Sequence, residues 1–214
     1  MGARTNTPTN PRTAVDASAI LARKHPEFRA IVRAVGPCSL RHVRSGSHFA
    51  HLAEAIAYQQ LNGRAAATIW QRVTRVLDGK VSAEQVLATP IPAFRSAGLS
   101  NAKTHALLDL AEHAHAGMLP LGRLAHLDDE AIIAALTQVR GIGRWTVQMF
   151  LMSRLGRLDV WPVDDFGVRA GYTRLHGYLE PITARALAPL GELYAGYRSV
   201  AAWYCWRALD NDVA

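Results

Sequence analysis

The chain has 214 residues, 50% of them hydrophobic and 19% charged, which is enough apolar material for one sizeable core or two small ones and rules out simple disorder. Twenty-four Lys and Arg against seventeen Asp and Glu leave a net charge of +7, a balance that favours polyanionic partners, nucleic acid first. Only Cys38 and Cys205 are cysteines, which excludes a disulfide framework, iron–sulfur chemistry and a Cys-rich zinc site. No run approaches the roughly eighteen apolar residues of a bilayer span, and the start carries no apolar signal region, so the expected setting is soluble and cytoplasmic.

Residues 1–14, rich in Thr, Pro and Asn, have little to bury and are expected to form a flexible tail. Beyond them the apolar spacing is helical. Asp16 is placed to cap a helix over Ala17–Lys24, and Pro26 fits the first turn of a second, short one. Ser47 precedes the stripe Phe49, Leu52, Ala53, Ile56 and Ala57; after the Asn62-Gly63 break, Ala66, Ile69, Trp70, Val73, Val76 and Leu77 form another. Ser82 with Gln85 reads as a capping box, and Ser100 and Asp128 as caps of two later helices. Gly or Pro breaks recur every ten to twenty residues and no strand pair emerges, so an all-α chain of eight to eleven helices is expected.

Leu136 to Val147, with Gly141-Ile142-Gly143 at its centre, reads as a helix end, a tight turn and an immediate helix restart. Two glycines this close permit positive φ and let another chain approach the backbone. The new helix offers unpaired N–H groups beside Gly143 and Arg144, an arrangement suited to a phosphate and blind to base sequence. An ordinary glycine-capped helix–helix turn gives the same pattern. Twenty residues on, Pro162 holds Trp161 extended, and Asp164 or Asp165 stands at the mouth of a helix running toward Tyr172. Successive helical side chains point about 100° apart, so one carboxylate can cap while the other faces elsewhere, although both can also simply serve the helix terminus.

Four blocks come in a telling order: Ala55 to Ala66 (Ala-Ile-Ala-Tyr-Gln-Gln-Leu-Asn-Gly-Arg-Ala-Ala), Ala97 to Lys103, Val139 to Thr146, and Asp159 to Phe166. Together they resemble the 3-methyladenine DNA glycosylase II family of helix-hairpin-helix DNA glycosylases over roughly residues 30–210. The resemblance implies the two-lobed all-α HhH-GPD fold with its active-site cleft between the lobes. The hairpin lobe would run from about residue 46 to 155, and the second lobe would combine about 15–45 with 156–214. The resemblance implies the short form, without the α/β domain of larger members.

The resemblance also implies roles. Asp165 matches the catalytic aspartate, with Asp164 preceding it. Breaking an N-glycosidic bond builds cationic character on the sugar, which a fixed carboxylate stabilises, directly or by orienting water. An alkylated purine already carries positive charge and leaves without a strong general acid. Trp145 and Trp206 match base-pocket positions, with Phe166, Tyr58, Met149 and Gln59 as further substrate contacts; each aromatic can equally be core packing. On the DNA side, Gly141, Ile142, Gly143 and Thr146 belong to the hairpin, Arg64, Lys103, Arg140 and Arg144 are placed for phosphates, and one of Gln60, Leu61 and Asn62 fills the gap left by the flipped base.

Bifunctional members place a lysine where this chain has Trp145, so a monofunctional enzyme that leaves an abasic site is expected. It would work as a monomer on double-stranded DNA containing alkylated bases, with no cofactor and no metal; the closest histidine pair, His113 and His115, is spaced wrongly for one helix face. The alternative is a non-catalytic helix-hairpin-helix DNA-binding module in which both aspartates serve only the helix.

Overall fold

Residues 13–40 and 42–211 are described by the computed structural model, and among them there are α-helices and 3-10 turns but no strand. Among the described residues there are twelve α-helices, one more than the upper end of the eight to eleven expected. The tail expected over residues 1–14 lies outside the described residues up to position 12. Thr13 and Ala14 are helical in role: α1 spans Ala14–Lys24 with Thr13 as its N-cap, its Oγ1 accepting the Asp16 N–H. Asp16 is therefore not the cap. It stands three residues inside the helix and accepts the Thr13 hydroxyl at 2.8 Å.

A 3-10 turn over Pro26–Phe28 leads into α2 (Arg29–Val35). Seven helices follow: α3 (His48–Tyr58), α4 (Gly63–Val76), α5 (Ala83–Ala88), α6 (Ile91–Ala97), α7 (Asn101–His115), α8 (Asp129–Leu136) and α9 (Arg144–Ser153). Ser47, Ser82, Ser100 and Asp128 cap α3, α5, α7 and α8 as their positions suggest, each side chain accepting a backbone N–H three residues on. The chain ends with α10 (Phe166–Leu175), α11 (Ala184–Leu190) and α12 (Arg198–Asp210).

The chain divides into two compact units. One takes Val43–Leu155 and holds α3 to α9; its core includes Phe49, Leu52, Ile56, Val73, Leu107, Leu110, Ile132, Leu136 and Phe150. Buried Arg154 closes it locally, donating to the carbonyls of Val43, Ser45 and Gly46 and to His48 Nδ1. The other unit takes the chain up to His42 together with everything from Gly156. Its core is aromatic: Phe28, Tyr172 and Tyr194 are fully buried, and Tyr172 stacks on His176 at 3.8 Å. Here α10 and α12 meet at backbone distance. A Cβ on Gly171 would lie 1.9 Å from the Cys205 carbonyl oxygen, so only glycine permits this crossing. Both thiols are buried; burial pushes Cys205 up and Cys38 to about 11, so neither is poised for reaction.

Candidate active site and nucleic-acid interface

In the unit holding α3 to α9, the hairpin joins α8 to α9. Val139 and Ile142 anchor it in the core, the Ile142 N–H donating to the Val139 carbonyl at 3.1 Å. Gly141 has φ +76°, and a Cβ there would sit 3.1 Å from that of Ala106, so this position requires glycine twice over. Gly143 does not: its φ of −91° suits any residue. Only one glycine of the pair thus uses positive φ. Around Gly143 a Cβ would meet nothing within 4 Å, and α9 starts there without a side-chain cap. That is an open approach to a helix N-terminus, the backbone geometry that accepts an anion.

Two side chains hold the turn from outside. Asp109 Oδ2 on α7 accepts the Arg140 N–H at 2.6 Å, and Gln59 Nε2 at the end of α3 donates to the Gly141 carbonyl at 2.8 Å and to Thr146 Oγ1 at 3.4 Å. Gln59 therefore braces the hairpin while also lining a cavity described below. Arg144 forks onto Glu130, with Nη1 to Oε2 at 3.0 Å, in an exposed pair that water and salt weaken. Arg64 and the Arg140 side chain are exposed. Lys103 donates its ammonium to the Ala57 carbonyl at 2.8 Å, and burial lowers its pKa. Gln59, Gln60, Lys103, His105, Arg140 and Gly141 border a cavity of about 440 Å³ beside the hairpin, basic in character.

The α3–α4 turn carries the three residues assigned to the gap. Gln60 is in the left-handed region at φ +56°, Leu61 is 40% exposed, and Asn62 caps α4, its Oδ1 accepting the Ala65 N–H at 2.9 Å.

Between α3 and α9 lies a second cavity, of about 430 Å³, in the range of small-molecule sites. Tyr58, Gln59, Trp145 and Met149 line it, as do His51, Glu54 and Ser153, which the sequence analysis did not single out. Trp145 is 41% exposed. His51 Nε2 lies 3.2 Å from the Ser153 hydroxyl; burial first, then the Arg154 guanidinium, lowers its pKa and keeps it neutral. Burial raises the Glu54 carboxyl, and burial with the Glu54 charge raises the Tyr58 hydroxyl. The signal for these residues was spacing: 51, 54 and 58 fall on one α3 face, and 145, 149 and 153 on one α9 face.

In the other unit, Asp165 is the N-cap of α10. Its Oδ1 accepts the Val168 N–H at 2.8 Å and the Trp206 indole N–H, from α12, at 2.8 Å. Two donors on one oxygen fix the carboxylate, which is 9% exposed, whereas Asp164 is exposed. Gly167 makes this possible, since a Cβ there would lie 2.8 Å from the Trp206 ring. Phe166 is 76% exposed beside it. The structure thus groups Asp165, Trp206 and Phe166 in one unit, and the hairpin with Tyr58, Gln59, Trp145 and Met149 in the other.

This geometry has known counterparts. Residues 53–191 match the model of the HhH-GPD superfamily base excision DNA repair proteins. The DNA-3-methyladenine glycosylase 1 of Schizosaccharomyces pombe is 35% identical over 162 residues, covering 74% of this chain and 71% of that protein. A solved structure of the 3-methyladenine DNA glycosylase of the same yeast, in complex with abasic DNA, superposes with a TM-score of 0.82 at 32% identity, covering 92% of this chain and 98% of the other. The DNA-3-methyladenine glycosidase of Bacillus halodurans gives 0.77 at 33% identity, over 88% and 86%. With its all-α architecture, its braced glycine hairpin and a family match over most of its length, the chain belongs to the HhH-GPD superfamily of base excision DNA repair proteins.

Proposed function

We propose that this chain is a monofunctional DNA glycosylase of base excision repair, which flips alkylated bases such as 3-methyladenine out of double-stranded DNA and hydrolyses their N-glycosidic bond. The observation that carries the reading is Asp165: a carboxylate locked by a backbone N–H and an indole N–H, at the start of α10. A group held this firmly reorganises little as positive charge grows on the sugar, which is what electrostatic stabilisation of an oxocarbenium-like transition state requires. The alkylated purine leaves as a neutral base, water adds to the sugar, and an abasic site remains.

The hairpin and its neighbours grip the duplex. The uncapped N-terminus of α9 takes a backbone phosphate, and Arg64, Lys103, Arg140 and Arg144 add charge without reading sequence. Leu61 fills the gap left by the flipped nucleotide, because it is apolar and exposed while Asn62 is spent on capping α4. The α3–α9 cavity receives the base against Trp145 and Tyr58. Trp145 stands where bifunctional relatives carry a lysine, and Lys103 has its amine on the Ala57 carbonyl, so neither of these positions supplies an amine to attack the sugar. One copy of the chain suffices for every step. The test is incubation with methylated duplex DNA and chromatography of the products. Free methylated purines with intact abasic strands, and no borohydride-trapped adduct, are expected; intact methylated DNA, or a trapped adduct, overturns the reading.

A further inference from the structure

We propose that Glu54 determines specificity in the α3–α9 cavity, its carboxylate favouring a base that carries positive charge over a neutral base of the same shape. The inference rests on that cavity being the base receptor. Its lining is otherwise apolar, aromatic or neutral: Tyr58, Trp145, Met149, Phe150, and a His51 held in its neutral form by burial and by Arg154. Stacking on Trp145 and Tyr58 attracts any planar base, and their faces add only a modest preference for a cation. A carboxylate beside them adds a full opposite charge.

Glu54 supplies that charge. It is half-buried on α3, one turn before Tyr58, and among the described residues it has no hydrogen bond and no ion pair. The anion thus loses part of its hydration with no counterion in return, and burial accordingly raises its pKa. A cationic base entering the cavity would be the missing counterion, paired with a carboxylate in a setting less screened than the surface. A neutral base gains nothing comparable and leaves the carboxylate still uncompensated. The family match covers Glu54 but gives it no role, and a single acid on a helix otherwise reads as a solvated face.

The test needs no turnover. The intact protein, Glu54→Gln and Glu54→Asp are titrated with 7,9-dimethylguaninium, at a pH below that at which its N1–H is lost so that it is a net cation, and with neutral 9-methylguanine, and melting temperatures are recorded to confirm that all three fold. The wild type is expected to bind the cation more tightly. Glu54→Gln should lower that preference about tenfold, and Glu54→Asp, which keeps the charge, should retain most of it. Equal wild-type affinities, or a preference undiminished in Glu54→Gln, overturn the proposal. Release of 7-methylguanine from methylated duplex is measured in parallel: a wild type that prefers the cation yet releases no base sinks the proposed activity alone, whereas release without cation preference sinks the role of Glu54 alone.

Discussion

A carboxylate that caps a helix and accepts an indole N–H on the same oxygen has two jobs, and substitution can separate them. Asp165→Asn keeps an acceptor oxygen for Val168 and Trp206 and removes the charge; Asp165→Ala removes both. Melting of the asparagine variant should stay near wild type, while the alanine variant should lose about 1 kcal/mol for the missing cap. Equal losses in the two variants would mean that charge, not capping, sets the stability contribution. Leu61→Ala should weaken retention of the flipped base and slow release without lowering the melting temperature; unchanged release would remove it from the gap. At this scale the helix mouth was legible in the sequence, from Pro162 and the helical spacing that follows it, whereas the choice of Asp165 over Asp164 came from the resemblance to the glycosylase family. Glu54 was not legible as a site residue, since its meaning comes from facing α9, ninety residues away in the chain.

At the scale of elements, the hairpin and the α10–α12 crossing both depend on glycine, for different reasons. Gly171→Ala forces a methyl into the Cys205 carbonyl, and overpacking of this kind costs roughly 1–3 kcal/mol or more, readable as a lowered melting temperature. Gly143→Ala meets no atom and strains no dihedral, so stability should hold while affinity for duplex DNA falls; unchanged affinity would show that no strand approaches the turn. The α3 start has its own pH response. Burial first, then Arg154, holds His48 and His51 below the ordinary imidazole value of 6.5. The unfolded chain therefore takes up protons first as pH falls below about 6.5, and stability present above that pH is lost. Melting should drop between about pH 7.5 and 5.5, and a flat profile would contradict this placement. Helix caps at Ser47, Ser82, Ser100 and Asp128 were legible because one side chain decides each. Thr13 was missed because Asp16 offers the same chemistry three residues later; the Thr13 hydroxyl accepts the Asp16 N–H and donates to the Asp16 carboxylate.

Across the whole molecule, the proposed function puts the excess of seven positive charges to work in phosphate contacts rather than in the fold. Affinity for undamaged duplex should fall steeply as salt rises, each phosphate contact contributing about −0.9 to the log–log slope; a flat response would remove the phosphate grip. The all-α class was legible from the helical apolar spacing and the family from four short blocks, whereas the helix count fell one short of the twelve α-helices among the described residues. The central claim is that the charge of Asp165 drives base release. Single-turnover release of methylated purines by wild type and Asp165→Asn, alongside their affinities for the same duplex, measures it directly. The account predicts that the variant binds DNA as wild type does and releases base at least about a hundredfold more slowly, the scale of losing one preorganised electrostatic contact. Release by the variant at the wild-type rate would contradict it.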